Sequence, residues 1–129
     1  MAEHYPVAVG AGTLCIDDGY AVSHAWTGAG VTVDAPFTGA HLLHLAVAGC
    51  VLNDVYREAE RLGVDIAGVR VNAQGGFDEA WASTGIEYSV ALDSSLPPAD
   101  VARLLDAVEQ VTEIPRALAT PTGVRRVGQ

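Results

Sequence analysis

The stretch HLLHLAVAGCVLND, His41 to Asp54, is an almost unbroken apolar run that carries a cysteine, Cys50, near its end. Thr38 is a suitable N-cap ahead of this run. Only Gly49 interrupts the helix-forming residues before Gly63, which is a natural stop. Because the run is apolar on nearly every side, the sequence predicts a long helix whose front half is buried among other elements.

The rear half of this helix is amphipathic. Val55, Ala59 and Leu62 recur at helical spacing, which predicts a buried stripe. We expect the charged side chains between them to face water: Arg57, Glu58, Glu60 and Arg61.

Short stretches typical of β-strands lie on both sides of the helix. Apolar and polar residues alternate within them, and Gly or Asp-Gly turns separate them. Strands are predicted over residues 5–12, 13–19, 31–36, 64–75, 84–95 and 124–128. The strand over 84–95 alternates strictly, which is typical of an antiparallel sheet with one wet face.

A second helix is predicted after Pro97 and Pro98, with Pro115 as its end. The order along the chain is then strands, long helix, strands, helix, strand. This order predicts an α+β fold.

Length and composition favour one domain that associates with a second copy. The chain has 129 residues, which suits a single core. Half of the residues are apolar and only 18% are charged, so we expect apolar surface to be buried against another chain. The simplest assembly is a symmetric homodimer.

The charge of the chain excludes several classes of function. Its net charge is −9, it has no lysine, and its first arginine is Arg57. Such a chain repels phosphate backbones and anionic membranes, so we expect neither nucleic acid nor membrane as a partner. We find no signal peptide or membrane-spanning run and therefore expect a cytoplasmic protein.

Three stretches, the first of them within the opening run, carry a resemblance to a known family. They are LLHLAVAGC at 42–50, LGVDIAGVRV at 62–71 and LLDAVEQVTEIP at 104–115. In their order and spacing the chain resembles the OsmC/Ohr family of osmotically induced and organic-hydroperoxide-resistance proteins. The resemblance implies one OsmC-like domain over residues 1–129, with antiparallel sheets wrapped around a long buried central helix in an intertwined homodimer.

The resemblance also implies a chemistry, the thiol-dependent reduction of organic hydroperoxides. Cys50 matches the reactive cysteine, which becomes a sulfenic acid. The second, resolving cysteine of the family is replaced by Ile114, and the glutamate that supports the reactive thiol is replaced by Ala40. The activating arginine of the N-terminal strands has no counterpart before Arg57.

Other residues are candidates for the missing activation. Asn53, Asp54 and Arg57 lie on the Cys50 side of the helix, although Asp54 competes for the charge of Arg57 and a solvated ion pair is the simpler expectation. Arg116 follows the lost cysteine position, which the resemblance places near the thiol, so Arg116 is a second candidate cation.

Two histidines on the same helix are candidate binding residues. His41 and His44 have acceptable i,i+3 spacing for a metal pair, but further ligands are not evident. We expect them to be packed or interface side chains. The sequence therefore predicts no metal site and no cofactor.

Three hypotheses remain open at this stage. The first is a thiol peroxidase that uses Cys50 alone and relies on an external thiol reductant. The second is a protein of the same fold that binds or transforms an apolar small molecule at a dimer-interface pocket. The third is a structural dimer without catalysis, since fold alone does not imply function.

Overall fold

One antiparallel sheet and one long helix account for most of the architecture. The computed structural model describes residues 4–128. Within this range the strands are β1 Val7–Gly12, β2 Tyr20–Val22, β3 Val31–Asp34, β4 Gly68–Phe77 and β5 Ser83–Asp93. The helices are α1 Gly39–Leu62, α2 Pro98–Val111 and α3 Glu113–Leu118. The sheet order is β2-β3-β1-β4-β5, with every neighbouring pair antiparallel, so the predicted α+β class is confirmed.

The ends of α1 lie where the sequence predicts them. The Thr38 side chain accepts a hydrogen bond from the His41 amide at 3.2 Å, which satisfies one of the unpaired N–H groups of the first turn. Gly63 ends the helix in the left-handed conformation, at φ 71°. None of the helices described between residues 4 and 128 combines the length and apolar character that crossing a membrane requires.

The core lies between α1 and the sheet, and α2 packs against α1 and contributes to it. On α1 the side chains of Val47, Val51 and Val55 are buried, and Leu104 and Val108 of α2 are 1% exposed. The strands contribute mainly valines: Val7, Val9, Val31, Val33, Val69 and Val71. Each fully buried valine or leucine contributes about 1.5–3 kcal/mol relative to an exposed one.

Glu58 is buried, contrary to the prediction that it faces water. Its side chain is 7% exposed and accepts a hydrogen bond from Arg61 Nη2 at 2.8 Å. The reason is its position on the helix, since Glu58 follows Val51 and Val55 on the face that other elements cover. Arg61 remains exposed and compensates the charge at the edge of the core.

The predicted strand over residues 13–19 is wrong. β1 ends at Gly12, which has φ 63°, and the chain then turns: the Leu14 amide bonds to Ala11 O and the Cys15 amide to Gly12 O. The segment folds back over β1 so closely that a Cβ on Gly10 would lie 2.3 Å from Leu14 O. Cys15 is therefore exposed in a turn, and the strand that follows is β2.

The C-terminal predictions also need correction. Pro115 does not end α2; it lies in the first turn of α3, where an amide hydrogen has no partner within the helix and its loss costs little. Residues 124–128 form no strand, and no described strand pairs with them. Val124 and Val127 are accordingly 95% and 71% exposed.

Candidate functional site

Cys50 lies on α1, opposite the point where α2 ends and α3 begins. Its side chain is half-buried, and its Sγ is 3.2 Å from Thr112 Oγ1. It lies 3.7 Å from Asp54 Oδ2 and 3.7 Å from Glu113 Oε2. Because the thiol has a single proton, it donates to one carboxylate at a time, and the Thr112 hydroxyl is free to donate to the sulfur.

The break between α2 and α3 explains why Thr112 and Glu113 reach the thiol. Thr112 leaves the helical conformation at φ −68° and ψ 123°, while its amide still bonds to Val108 O at 3.0 Å. Its side chain is buried, at 3% exposure, so its hydroxyl needs a partner within the protein. Cys50 Sγ is that partner.

Arg57 joins the two carboxylates from the side away from the sulfur. Its Nη2 donates to Asp54 Oδ1 and, at 3.0 Å, to Glu113 Oε1, while the other oxygen of each carboxylate faces Sγ. The Asp54 side chain is 2% exposed, whereas those of Arg57 and Glu113 are 44% and 64% exposed. The hydrogen bond from Arg57 lowers the pKa of Glu113, and the same contact raises the pKa of Arg57.

The charges around the thiol do not balance. Two carboxylates and one guanidinium leave a net negative charge beside Sγ, which repels negative charge on the sulfur. The Thr112 hydroxyl acts in the opposite direction, because a donor stabilises a developing negative charge on sulfur. Arg57 therefore determines how much of the negative charge the thiol experiences.

An apolar cavity lies next to the thiol along α1. It has a volume of about 230 Å³. Its walls come from α1, β5 and α3, and are formed by Leu43, Val47, Ile86, Tyr88, Pro115 and Leu118, with Ser83, Gly85 and Ala119 at its edges. Val47 precedes Cys50 by about one helical turn, so the part of α1 that lines the cavity lies on the N-terminal side of the thiol.

Comparison with known proteins identifies the family. The family of OsmC-like proteins matches residues 33–125, a range that includes α1, the cavity walls and α3. The chain belongs to the OsmC-like family. No curated protein matches the sequence at a significant level.

A solved OsmC-like structure has the same fold. It is the crystal structure of an OsmC-like hydroperoxide resistance protein from Jannaschia sp. CCS1, which is 16% identical. The match covers 98% of this chain and 93% of that one, with a TM-score of 0.55. At this identity the similarity shows the fold, an antiparallel sheet with a long central helix.

Arg116, the cation proposed from the OsmC-like resemblance, does not contact Cys50 among the hydrogen bonds of residues 4–128. Its guanidinium donates to the backbone carbonyl of Gln110 at the end of α2. The cation that reaches the cluster around Cys50 is Arg57. A role for Arg116 in activating the thiol stays a prediction.

Asn53 supports a loop of the OsmC-like fold. Its Oδ1 lies 2.8 Å from His24 Nε2, and His24 Nδ1 lies 3.0 Å from Thr27 Oγ1. These contacts attach the loop between β2 and β3 to α1. The Asn53 side chain is therefore already hydrogen-bonded to His24, about one turn of α1 away from Cys50.

His41 and His44 have separate partners. His41 Nδ1 lies 2.6 Å from Thr38 Oγ1 at the helix start. His44 is fully buried and its Nδ1 bonds to Tyr5 O at 2.9 Å, while its Nε2 has no hydrogen-bond partner among the described residues. The imidazole packs against Gly75, where a Cβ would lie 2.9 Å from Nε2. Both rings therefore serve the structure at the start of α1.

One group of side chains has the donor atoms of a metal site, although the sequence suggests none. Cys50, Asp54 and Glu113 each offer one ligand atom, and these atoms lie within 4.8 Å of one another. Sulfur and carboxylate oxygen are donors that zinc accepts. Arg57 already supplies positive charge to both carboxylates, so the cluster is partly neutralised without a metal ion.

Thr112 and Glu113 are the site residues that sequence reasoning missed. They come directly before Ile114, the position of the lost cysteine, which the resemblance places near the reactive thiol. Their position next to Ile114 is the signal in the sequence that could have identified them.

Replacing Arg57 tests the electrostatic role of its contacts with Asp54 and Glu113. We expect Arg57→Gln to slow alkylation of Cys50 by iodoacetamide several-fold, because the variant removes the positive charge of the cluster. It also leaves buried Asp54 without its guanidinium, which costs roughly 1–2 kcal/mol in unfolding free energy for a half-exposed partner.

Arg61→Gln is the matched control. Arg61 pairs with buried Glu58 in the same i,i+3 geometry one turn further on, so we expect a similar loss of stability and unchanged alkylation. Both variants are measured in a Cys15→Ser background by urea unfolding and mass-resolved alkylation. Equal alkylation rates in the two variants would contradict a role for Arg57 at the thiol.

Proposed function

We propose that this protein is a single-cysteine thiol peroxidase in which Cys50 reduces small apolar organic hydroperoxides. The observation that carries the proposal is the position of Cys50 on α1, where its sulfur contacts the Thr112 hydroxyl about one helical turn from Val47, which lines the apolar cavity. Family membership supports it, because the similar protein from Jannaschia sp. CCS1 is described as a hydroperoxide resistance protein.

The proposed reaction begins with attack of the Cys50 sulfur on the outer peroxide oxygen. The O–O bond breaks, the substrate leaves as an alcohol, and Cys50 becomes a sulfenic acid. Ile114 stands where the family's second cysteine would be, and Cys15 is a free cysteine in an exposed turn. The sulfenic acid is therefore reduced by an external thiol, which forms a mixed disulfide that a second thiol then opens.

The cavity favours an alkyl or aryl hydroperoxide over hydrogen peroxide. Its walls are largely apolar, and its volume of about 230 Å³ suits a small organic group. Burial of such a group positions the peroxide end beside Sγ. Hydrogen peroxide has no apolar group to bury and gains nothing from the cavity.

A second candidate is binding of an apolar molecule without turnover. The observation that favours it is the cavity itself, whose walls among the described residues are largely apolar and carry no charged side chain. In this case the cavity is the functional feature and Cys50 is a neighbour of it without a catalytic role.

Replacing Cys50 separates the two candidates. We expect Cys50→Ser to abolish reduction of tert-butyl hydroperoxide in the presence of a dithiol, and Cys15→Ser to keep it. Binding of tert-butanol by the Cys50→Ser variant, followed through methyl NMR shifts of Ile86 and Leu118, reports on the cavity alone. Undiminished turnover in Cys50→Ser would refute the peroxidase, and binding without wild-type turnover would support the second candidate.

We also propose that a second copy of the chain covers the front of α1. Leu42, Leu43 and Leu45 are only half-buried and Ala46 is exposed, although this part of the helix is apolar. A symmetric homodimer would bury these side chains and extend the wall of the cavity.

Ala46→Glu tests the dimer. A charge on the covered face should be costly to bury, so we expect this variant to elute as a monomer while the wild type shows twice the chain mass of 13.4 kDa. Ala102→Glu, at an exposed position of α2, is the control and should stay dimeric. The measurement is light scattering after size exclusion, and a dimeric Ala46→Glu would count against this interface.

A further inference from the structure

We propose that Glu113 is the proton carrier of the reaction: it takes the proton of the Cys50 thiol and delivers it to the departing alkoxide. The inference rests on the proposed peroxidase function and assigns a catalytic group to it. Reduction of a hydroperoxide needs such a group, because an alkoxide leaves slowly unless it is protonated as the O–O bond breaks.

The two oxygens of Glu113 have different tasks. Oε1 accepts a hydrogen bond from Arg57 Nη2 at 3.0 Å, while Oε2 accepts from Cys50 Sγ at 3.7 Å. The guanidinium holds the carboxylate in place and lowers the pKa of Glu113, so the group is ionised before the reaction begins. The oxygen that faces the sulfur is the one left free to accept that proton.

Asp54 is at the same distance from Sγ but is less well placed. It follows Cys50 by one turn of α1, whereas the cavity lies on the other side, toward Leu43 and Val47. The Asp54 side chain is also 2% exposed, which separates it from solvent protons.

Glu113, in contrast, lies near the cavity and is open to solvent. It is the first residue of α3, whose Pro115 and Leu118 form a wall of the cavity, and its Oε2 lies 3.7 Å from Sγ, so a peroxide that reaches the sulfur also reaches this carboxylate. Its side chain is 64% exposed and exchanges protons with water. The remaining neighbour of the sulfur, Thr112, supplies a hydrogen bond and is too weak an acid to release its proton.

The step is balanced in atoms and electrons. The thiol proton moves to Glu113 Oε2, the sulfur electron pair forms the S–O bond with the outer peroxide oxygen, and the O–O bond breaks. The sulfur is oxidised by two electrons and the peroxide is reduced by two. The alkoxide takes the proton from Glu113, which leaves an alcohol, a sulfenic acid and an ionised carboxylate.

The test compares two reagents that differ in their need for a proton. Iodoacetamide releases iodide, which needs no proton, whereas tert-butyl hydroperoxide releases an alkoxide. In a Cys15→Ser background we expect Glu113→Gln to keep the alkylation rate of the parent within a few-fold, because the thiol can lose its proton to water before it attacks iodoacetamide and the departing iodide takes no proton. Its reaction with the hydroperoxide should fall roughly 10²-fold, the usual loss on removing a general acid.

Two further variants complete the test. Glu60→Gln makes the same charge change on an exposed residue of α1 that lies about 15 Å from Cys50 along the helix axis, and both of its rates should stay unchanged. Glu113→Asp keeps a carboxylate and should recover part of the hydroperoxide rate.

The outcomes separate this inference from the function on which it rests. If Glu113→Gln changes both rates by the same factor, Glu113 acts only through its charge and the proton-carrier role is overturned while the peroxidase stands. If the unsubstituted protein reacts with the hydroperoxide no faster than free cysteine does, the proposed function and this role both fail. A loss confined to the hydroperoxide supports the role.

Discussion

The packing of α1 against the sheet places every side chain of the site. Val47, Val51 and Val55 are buried against β1 and β4, which fixes the rotation of the helix about its axis. Cys50 then lies at the border of the buried face, beside the turn between α2 and α3. A helix rotated by one residue would carry the thiol by about 100°, either into the core or into solvent.

The same packing also determines which charged groups surround the thiol. Asp54 is buried because it lies on the covered side of α1, and a buried carboxylate needs a cation, which Arg57 provides. Arg57 is long enough to hold Glu113 of α3 as well, so the helix and the turn are joined through one guanidinium. The sulfur consequently faces two carboxylate oxygens and one hydroxyl, and one of the carboxylates is the proposed acceptor of its proton.

The charged groups near Cys50 occupy other positions than the catalytic groups of the OsmC/Ohr family. Ala40 and Ile114 stand where the supporting glutamate and the second cysteine of the resembled proteins would be. The charged groups near Cys50 are instead Arg57, from the same helix, and Glu113, from the turn next to Ile114. Charge is thus present at the thiol, although it is supplied by other positions.

The sequence predicts the framework of the fold well because periodicity reports burial. Thr38 and Gly63 bound α1 as expected, and the alternation over residues 84–95 corresponds to β5. The sequence fails where tertiary contacts override local pattern. The apolar run at residues 14–16 resembles a short strand, but the chain turns back directly after Gly12, and Glu58 has a polar side chain on a covered face.

For the site, the family resemblance points to Cys50, but the sequence does not identify all of the side chains that surround its thiol. Asp54 and Arg57 are visible from helical spacing, but their pairing with Glu113 joins residues more than fifty positions apart. The sequence offers Arg57 and Arg116 as alternative cations and cannot rank them, since the direction of a side chain at the end of a helix is set by local contacts such as that of Arg116 with the Gln110 carbonyl.

The most direct test of the account is the reaction of Cys50 with tert-butyl hydroperoxide under single-turnover conditions, with the sulfenic acid trapped and located by mass spectrometry. We expect the label on Cys50 and a rate at least about a hundredfold above that of free cysteine, as general acid catalysis by a placed carboxylate would give. A rate equal to that of free cysteine, or a label on Cys15 alone, would contradict the account.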